Sequence, residues 1–284
     1  MSTQGTKKVH LIGVFIWSLA AGFFLYEFFL RVFVGTLSTQ VISGLNLTSQ
    51  QFALLGLGYY LTYSLMQIPV GILVDRFGAH LLLTIATFLA ALGGFWFAYS
   101  YGFINGFASR CFMGFGSSFA YVSLLILALN WFPRKYFGLM AGVSNLLGAI
   151  GPILAGAPLA LLLNAFNGNW RVILAGIGGF GFVLAVIIGL FVRNRPKRES
   201  HELIHLDPSS DTLLQKLKSL LTNRQVYPII LFAGFNYVSI PLLGAYWGTS
   251  FLQAKGLELK SAATLTSLLW VGLALGAPLI GRIS

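Results

Sequence analysis

The sequence predicts an all-α polytopic membrane protein, and three observations carry that expectation. Hydrophobic residues make up 57% of the 284 positions and charged ones only 9%, against the roughly 25% charge typical of a soluble domain. The apolar residues fall in runs of about 20, long enough to cross a ~30 Å hydrocarbon core as helices. These runs lack the period-two alternation of a barrel strand, and only helices or closed barrels satisfy backbone polar groups in lipid.

Taken in order, the spans fall at about 11–40, 50–74, 80–99, 103–130, 138–163, 171–192, 225–252 and 262–281. The first follows Lys7 and Lys8 and has no small-residue cleavage site, so it is expected to be retained rather than removed as a signal peptide. The second opens on Thr48 and Gln51, the pattern of a capping box, in which side chain and backbone exchange hydrogen bonds at a helix start. That assignment is preferred to a glycosylation sequon at Asn46, Leu47 and Thr48. A charged stretch from Arg193 to Arg224, rich in Ser, Asp and Pro, separates the sixth span from the seventh. The predicted organisation is a six-helix bundle over 1–192, a linker over 193–224 and two helices of an incomplete second bundle over 225–284.

The formal charge of +11 invites a nucleic-acid partner, but its distribution is topological. Thirteen of the eighteen basic residues fall in alternate loops together with the N-terminus, and three, Arg171, Lys255 and Lys260, fall in the others. The positive-inside rule then places the N-terminus in the cytoplasm and leaves nucleic acid out. The lone Cys111 excludes an intrachain disulfide and a multi-cysteine metal site. A short internal repeat is also present. Leu45, Leu47 and Ser49 recur as Leu257, Leu259 and Ser261, shifted by 212 positions, and the spans that follow end in Pro69–Gly71 and Pro278–Gly281. Parallel repeats are common in transporters.

The turn after the second span runs Gly71, Ile72, Leu73, Val74, Asp75, Arg76, Phe77, Gly78. Gly71 permits the approach of a neighbouring helix, Asp75 can pair with a cation or cap a helix N-terminus, and Gly78 allows the turn. The segment resembles G-x-L-x-D-R-x-G-R-K, the signature of the major facilitator superfamily, with Ala79 and His80 at its last two basic positions. Arg110, Gly114 and Gly116 match that family's R-x-x-x-G-x-G motif in the fourth span. Gly148, Gly151, Pro152 and Gly156 resemble the glycine-proline motif of its antiporters, although close helix packing alone accounts for them. The resemblance implies alternating access between two bundles, with Gly71, Asp75, Arg76 and Gly78 acting as a conformational latch. It also implies no cofactor and no catalytic residue. Because the chain stops at Ser284, where a second copy of the loop motif would begin, a truncated facilitator is expected.

Glu27, Arg31 and Arg110 are the charges well inside predicted spans, where each unpaired charge costs at least ~2.5 kcal/mol. Glu27 and Arg31 stand four apart on one helical face, with the acid toward the N-terminus as the favourable order requires. At ~1.5 Å per residue, Glu27 lies ~24 Å from the cytoplasmic side and Arg110 ~10 Å from the outer one, depths compatible with one cluster. Glu27 to Arg31 is similar to the E-x-x-E-R motif of proton-coupled peptide transporters, with Leu30 in place of the second acid. Tyr26 to Arg31 more nearly resembles bacterial facilitators that include phagosomal amino-acid transporters, which implies an inner-membrane protein. The expected substrate is a small polar solute, an amino acid or similar metabolite. Arg31 or Arg110 would hold its carboxylate, and Glu27 would sense protons or an amine. Tyr26, Tyr60, Tyr63, Tyr121, Asn236, Tyr237 and Trp247 are expected to complete the cavity wall. Arg31 snorkelling to the headgroups with Glu27 as its neutralising partner is the simpler alternative.

Two further patterns are set aside. His201 to His205 spell H-E-x-x-H, a zinc-protease motif, but within a polar linker that supplies no enclosing domain. Gly176, Gly178 and Gly181 form G-x-G-x-x-G with no strand before them and lie within the sixth span, so they are expected to pack helices. The expected protein is a secondary transporter in contact with the lipid bilayer, and neither an enzyme nor a metalloprotein. The alternative is a non-transporting sensor or partner-binding remnant, and oligomeric state is left open.

Overall fold

A computed structural model describes residues 3–194 and 222–283, and among them every regular element is helical. The elements are α1 (Thr3–Thr36), α2 (Ser38–Leu45), α3 (Ser49–Phe77), α4 (Ala79–Ala98), α5 (Gly102–Ser117), α6 (Ala120–Trp131), α7 (Phe137–Ala155), α8 (Ala157–Ala165) and α9 (Trp170–Phe191). Beyond the linker come α10 (Val226–Ser239), a π-helical segment (Ile240–Trp247), α11 (Gly248–Ala254) and α12 (Leu259–Ile283). Seven stretches among the described residues are long and apolar enough to cross a membrane. The seventh expected span, at 225–252, is there but broken into α10, the π segment and α11. Pro241 stands at the start of the π segment, where its missing N–H removes a hydrogen bond and favours the wider turn.

Local chemistry explains the other boundaries. Thr48 accepts from the Gln51 amide at 3.2 Å while the Gln51 side chain accepts from the Thr48 amide at 2.9 Å, completing the capping box that opens α3. Gly78, at φ +82°, makes the turn from α3 to α4 in a conformation that L side chains rarely adopt. The side chain of Asn194 then accepts from the His80 amide at 3.1 Å, which satisfies an otherwise orphaned donor at the start of α4. The α7–α8 break falls at Gly156.

The first helix is the axis of the fold. Phe23, Phe33, Val34 and Leu37 are fully buried, and α1 packs against α6, α7, α9 and the π segment. Small residues set the spacing of its neighbours. A Cβ on Gly148 would collide with the Phe24 ring and one on Gly151 with the Leu25 carbonyl, while Pro152 is buried within α7. Gly156 does the same against Ser267 of α12. Gly178 and Gly181 press on Phe95 and Tyr26, whereas Gly176 meets nothing within 4 Å. Gly71, expected to admit a neighbouring helix, also has open space around it among the described residues. It sits on the outward side of α3, where none of those residues approaches.

The two helical ends of the molecule differ. At the end that carries Asn46, the π segment and α11 lie against α1, and Tyr246 and Trp247 of the π segment reach Phe52 of α3. At the end that carries Gly78, α10 stands apart, with Ile229, Phe232 and Phe235 largely exposed. The repeat is visible in the backbone, but its offset is 210 and not 212. Asn46 and Gly256 both adopt positive φ, and α3 and α12 open at Ser49 and Leu259. The Leu45 and Leu257 match is out of structural register because leucines are frequent in any apolar run.

Candidate functional site

A cavity of about 380 Å³ lies between α1, α3 and α10, lined by Arg31, Tyr60, Tyr63, Ser64, Gly234, Val238 and Pro241. Arg31 enters it from a buried pair. Its Nη2 donates to both Glu27 carboxylate oxygens at 3.0 Å, one helical turn away. The guanidinium lies 4.4 Å from the Phe28 ring centre and 4.6 Å from that of Tyr63, so aromatic faces support the cation. The Tyr59 hydroxyl donates to Glu27 Oε2 at 2.9 Å. Glu27 itself is completely buried, with its oxygens already engaged by Arg31 and Tyr59.

Arg110 is not part of this pair. Also fully buried, it donates through Nη1 to the Leu30 carbonyl at 2.6 Å, through Nη2 to the Arg31 carbonyl at 3.4 Å and through Nε to the Leu55 carbonyl at 3.4 Å. Its guanidinium lies 4.6 Å from the centre of the Tyr59 ring. The expected carboxylate-binding alternative at Arg110 therefore meets a group whose donors point into backbone. Arg110 joins α1, α3 and α5 and fixes the height at which Arg31 is presented. It does not line the cavity.

The expected aromatic wall divides. Tyr60 and Tyr63 line the cavity. Tyr26 does not: it is buried on the opposite face of α1, between Gly94 of α4 and Gly181 of α9, with its ring 6.1 Å from Phe180. Tyr121 stacks on Phe24 at 5.1 Å and accepts from Asn145 at 3.3 Å, between α6 and α7. Asn236 and Tyr237 belong to α10, but their side chains lie outside those described. Trp247 lines a second, more apolar cavity of about 280 Å³ with Ala53, Leu57, Leu242 and Tyr246, next to the first and sharing Tyr60, Val238 and Pro241 with it. Tyr59, Phe28 and Ser64 are site residues the sequence did not single out. Tyr59 stands four positions before Tyr63 and stacks on it, a spacing that could have marked it.

Charge balance gives the site its chemistry. Glu27, Arg31 and Arg110 are the charged side chains buried among the described residues, two cations against one anion. Arg31 is matched by Glu27, so the buried cation with no carboxylate partner among the described residues is Arg110, which does not line the cavity but donates to the carbonyl of Arg31, which does.

The latch residues and the zinc-like motif complete the account. Asp75 and Arg76 are exposed, Arg76 lies over the Phe77 ring, and no ion pair of Asp75 occurs among the described residues. His201 to His205 and most of the linker lie outside the described residues.

The profile described as Major Facilitator Superfamily matches residues 5–284. A protein named as an uncharacterized transporter, YybO of Bacillus subtilis (strain 168), is 27% identical over 99% of this chain and 68% of its own length. A hexuronate transporter of the same organism is 25% identical over 82% of this chain and 56% of its own length. Among solved structures, a bacterial homologue of the human lysosomal transporter Spinster, in an inward-facing and unoccupied conformation, superposes with a TM-score of 0.74 at 17% identity. It shares the fold over 92% of this chain and 60% of its own length. The chain thus spans between about half and two thirds of the length of these relatives.

Proposed function

Since the chain belongs to the major facilitator superfamily, we propose that it moves a small organic anion across a membrane by alternating access, with Arg31 holding the carboxylate. The observation that carries this is the Arg31 guanidinium on the cavity wall, held by a carboxylate that an incoming one can replace, in a buried group of two cations and one anion. The family's secondary transporters rock two halves about a midplane site without hydrolysing ATP. A relative described as a hexuronate transporter points to sugar acids as the first substrates to try. The aromatic faces of Tyr60 and Tyr63 and the Ser64 hydroxyl suit a body that carries both C–H and O–H groups. An anion fits better than an amino-acid zwitterion, because the one buried acid is already engaged by Arg31 and Tyr59.

Glu27 supplies the coupling in this reading. An incoming carboxylate competes with it for Arg31, and Glu27, still held by Tyr59, takes up a proton when displaced. The excess of basic residues in alternate loops supports a cytoplasmic N-terminus, with the Gly78 end then on the cytoplasmic side, and the bacterial relatives support a bacterial inner membrane as the setting.

Thermal unfolding of the purified chain tests the binding step, because a ligand that binds only the folded protein raises its midpoint. Glucuronate and gluconate are expected to raise it, glucose is not, and Arg31→Gln is expected to abolish the effect. Equal stabilisation by glucose, or an undiminished effect in Arg31→Gln, would sink the assignment. The proton role is tested in proteoliposomes, where Glu27→Gln is expected to remove the dependence of uptake on an imposed pH gradient. Unchanged gradient dependence would remove Glu27 from the mechanism.

A further inference from the structure

One face of α3 runs through both cavities. Ala53, Gly56, Leu57, Tyr60, Tyr63 and Ser64 line them, and their spacing of three and four places them on a single stripe of the helix. The stripe changes character at Tyr60, which the two cavities share. Toward Gly78 it meets Arg31 and carries the Ser64 hydroxyl. Toward Asn46 it is apolar and faces Leu242, Tyr246 and Trp247 of the π segment. From Ala53 to Ser64 the stripe is about 16 Å long, at ~1.5 Å of helix rise per residue.

The apolar end is braced by aromatic rings. Phe52 lies 4.9 Å from Tyr246 and 5.9 Å from Trp247 between ring centres, and Tyr246 and Trp247 are 5.8 Å apart. Gly56 lets the Tyr246 ring come up against α3, since a Cβ there would collide with it. The Tyr246 hydroxyl donates to the Phe52 carbonyl, which leaves the ring and not the hydroxyl to a ligand. None of the residues lining this cavity is charged, and its volume of about 280 Å³ exceeds the roughly 150 Å³ of an apolar cavity that takes up benzene. We propose that the acid held by Arg31 carries an aryl arm, and that the arm lies in this second cavity with Tyr60 at the junction. A plain sugar acid fills only the polar end of the stripe. An aryl group at the other end meets Tyr246 and Trp247 in the edge and offset contacts that aromatic rings favour, and it removes its own apolar surface from water against Leu57 and Leu242.

The proposal rests on Arg31 holding the acid, and a neutral pair of probes lets the two fail separately. Glucuronate and phenyl β-D-glucuronide share the acid and differ by the phenyl group. Glucose and phenyl β-D-glucoside are the matching pair without a carboxylate. Titration of the purified chain is expected to show phenyl β-D-glucuronide binding about tenfold more tightly than glucuronate. Ala53→Trp, which fills the apolar cavity from an exposed position on α3, is expected to bring the two acids to equal affinity. Should that variant fail to fold, Leu57→Gln, also at an exposed position, is expected to cut the preference at least threefold. In thermal unfolding, phenyl β-D-glucoside is expected to raise the midpoint of the parent and of Arg31→Gln, where glucose does not. Equal affinity of the two acids for the parent chain, or a preference undiminished in a folded cavity variant, would overturn the aryl arm. A phenyl preference kept by the neutral pair, with neither acid binding better than its glucoside, would uphold the apolar subsite and strike the carboxylate assignment instead.

Discussion

Arg31 and Arg110 are buried within a few residues' reach of each other, on adjoining stretches of α1 and α5, and they satisfy their charge in opposite ways. Arg31 has a carboxylate partner one turn away on its own helix and aromatic rings on either side. Arg110 has no carboxylate partner among the described residues and spends its donors on carbonyls of α1 and α3, with the Tyr59 ring beneath it. The first arrangement can be exchanged, since one carboxylate can replace another. The second cannot, because a helical carbonyl has nowhere to go. The difference separates a binding residue from a positioning residue at the same depth in the membrane.

The sharpest way to break that distinction is Arg110→Ala. It removes three charge-assisted hydrogen bonds between helices and leaves a cavity, and it is expected to cost on the order of 3 kcal/mol, read as a lowered unfolding midpoint in detergent. A midpoint equal to that of the parent chain would show that the α1–α3–α5 joint does not depend on Arg110. Glu27→Gln comes next. It removes the competitor for Arg31, so glucuronate is expected to bind about tenfold more tightly by titration, with a stability loss of about 1 kcal/mol. Weaker binding would mean that Glu27 touches the ligand instead of competing with it. Tyr59→Phe takes away one donor to Glu27 and is expected to cost about 1 kcal/mol by denaturant or thermal unfolding. Tyr26→Phe is expected to change stability by less than about 0.5 kcal/mol, because the Tyr26 hydroxyl is buried without a hydrogen-bond partner. Binding should also be unaffected. A larger loss of either would return Tyr26 to the site.

Helix number, span limits and the Glu27–Arg31 pair were legible because they depend on local quantities: hydropathy over about 20 residues, a capping box, and a spacing of four on one helix. Arg110 was legible as a buried charge but not in its role, since its acceptors are backbone carbonyls that carry no residue-type signal. Tyr26 and Tyr59 show the same limit for aromatics. Depth in the membrane places both near Glu27, but only the packing of α4 and α9 against α1 decides that Tyr26 faces away, while Tyr59 reaches the acid from another helix. Span seven was visible as apolar length, and Pro241 was visible as a proline. The π segment that results depends on what holds its two ends: Trp270 donates to the Gly244 carbonyl at 2.9 Å, and Tyr246 is fixed against α3.

The partners of the two arginines also have an order along the chain, and it bears on how the protein is made. Glu27 and Arg31 neutralise each other within a single turn of α1, so the first helix can leave the ribosome and enter the bilayer with its charge already matched, before any neighbour exists. Arg110 has no such partner on its own helix, but Leu30, Arg31 and Leu55 all precede it. By the time α5 is inserted, the carbonyls that will receive it are already in the membrane. Biosynthesis from the N-terminus thus never requires an isolated guanidinium to wait in lipid for a helix not yet translated.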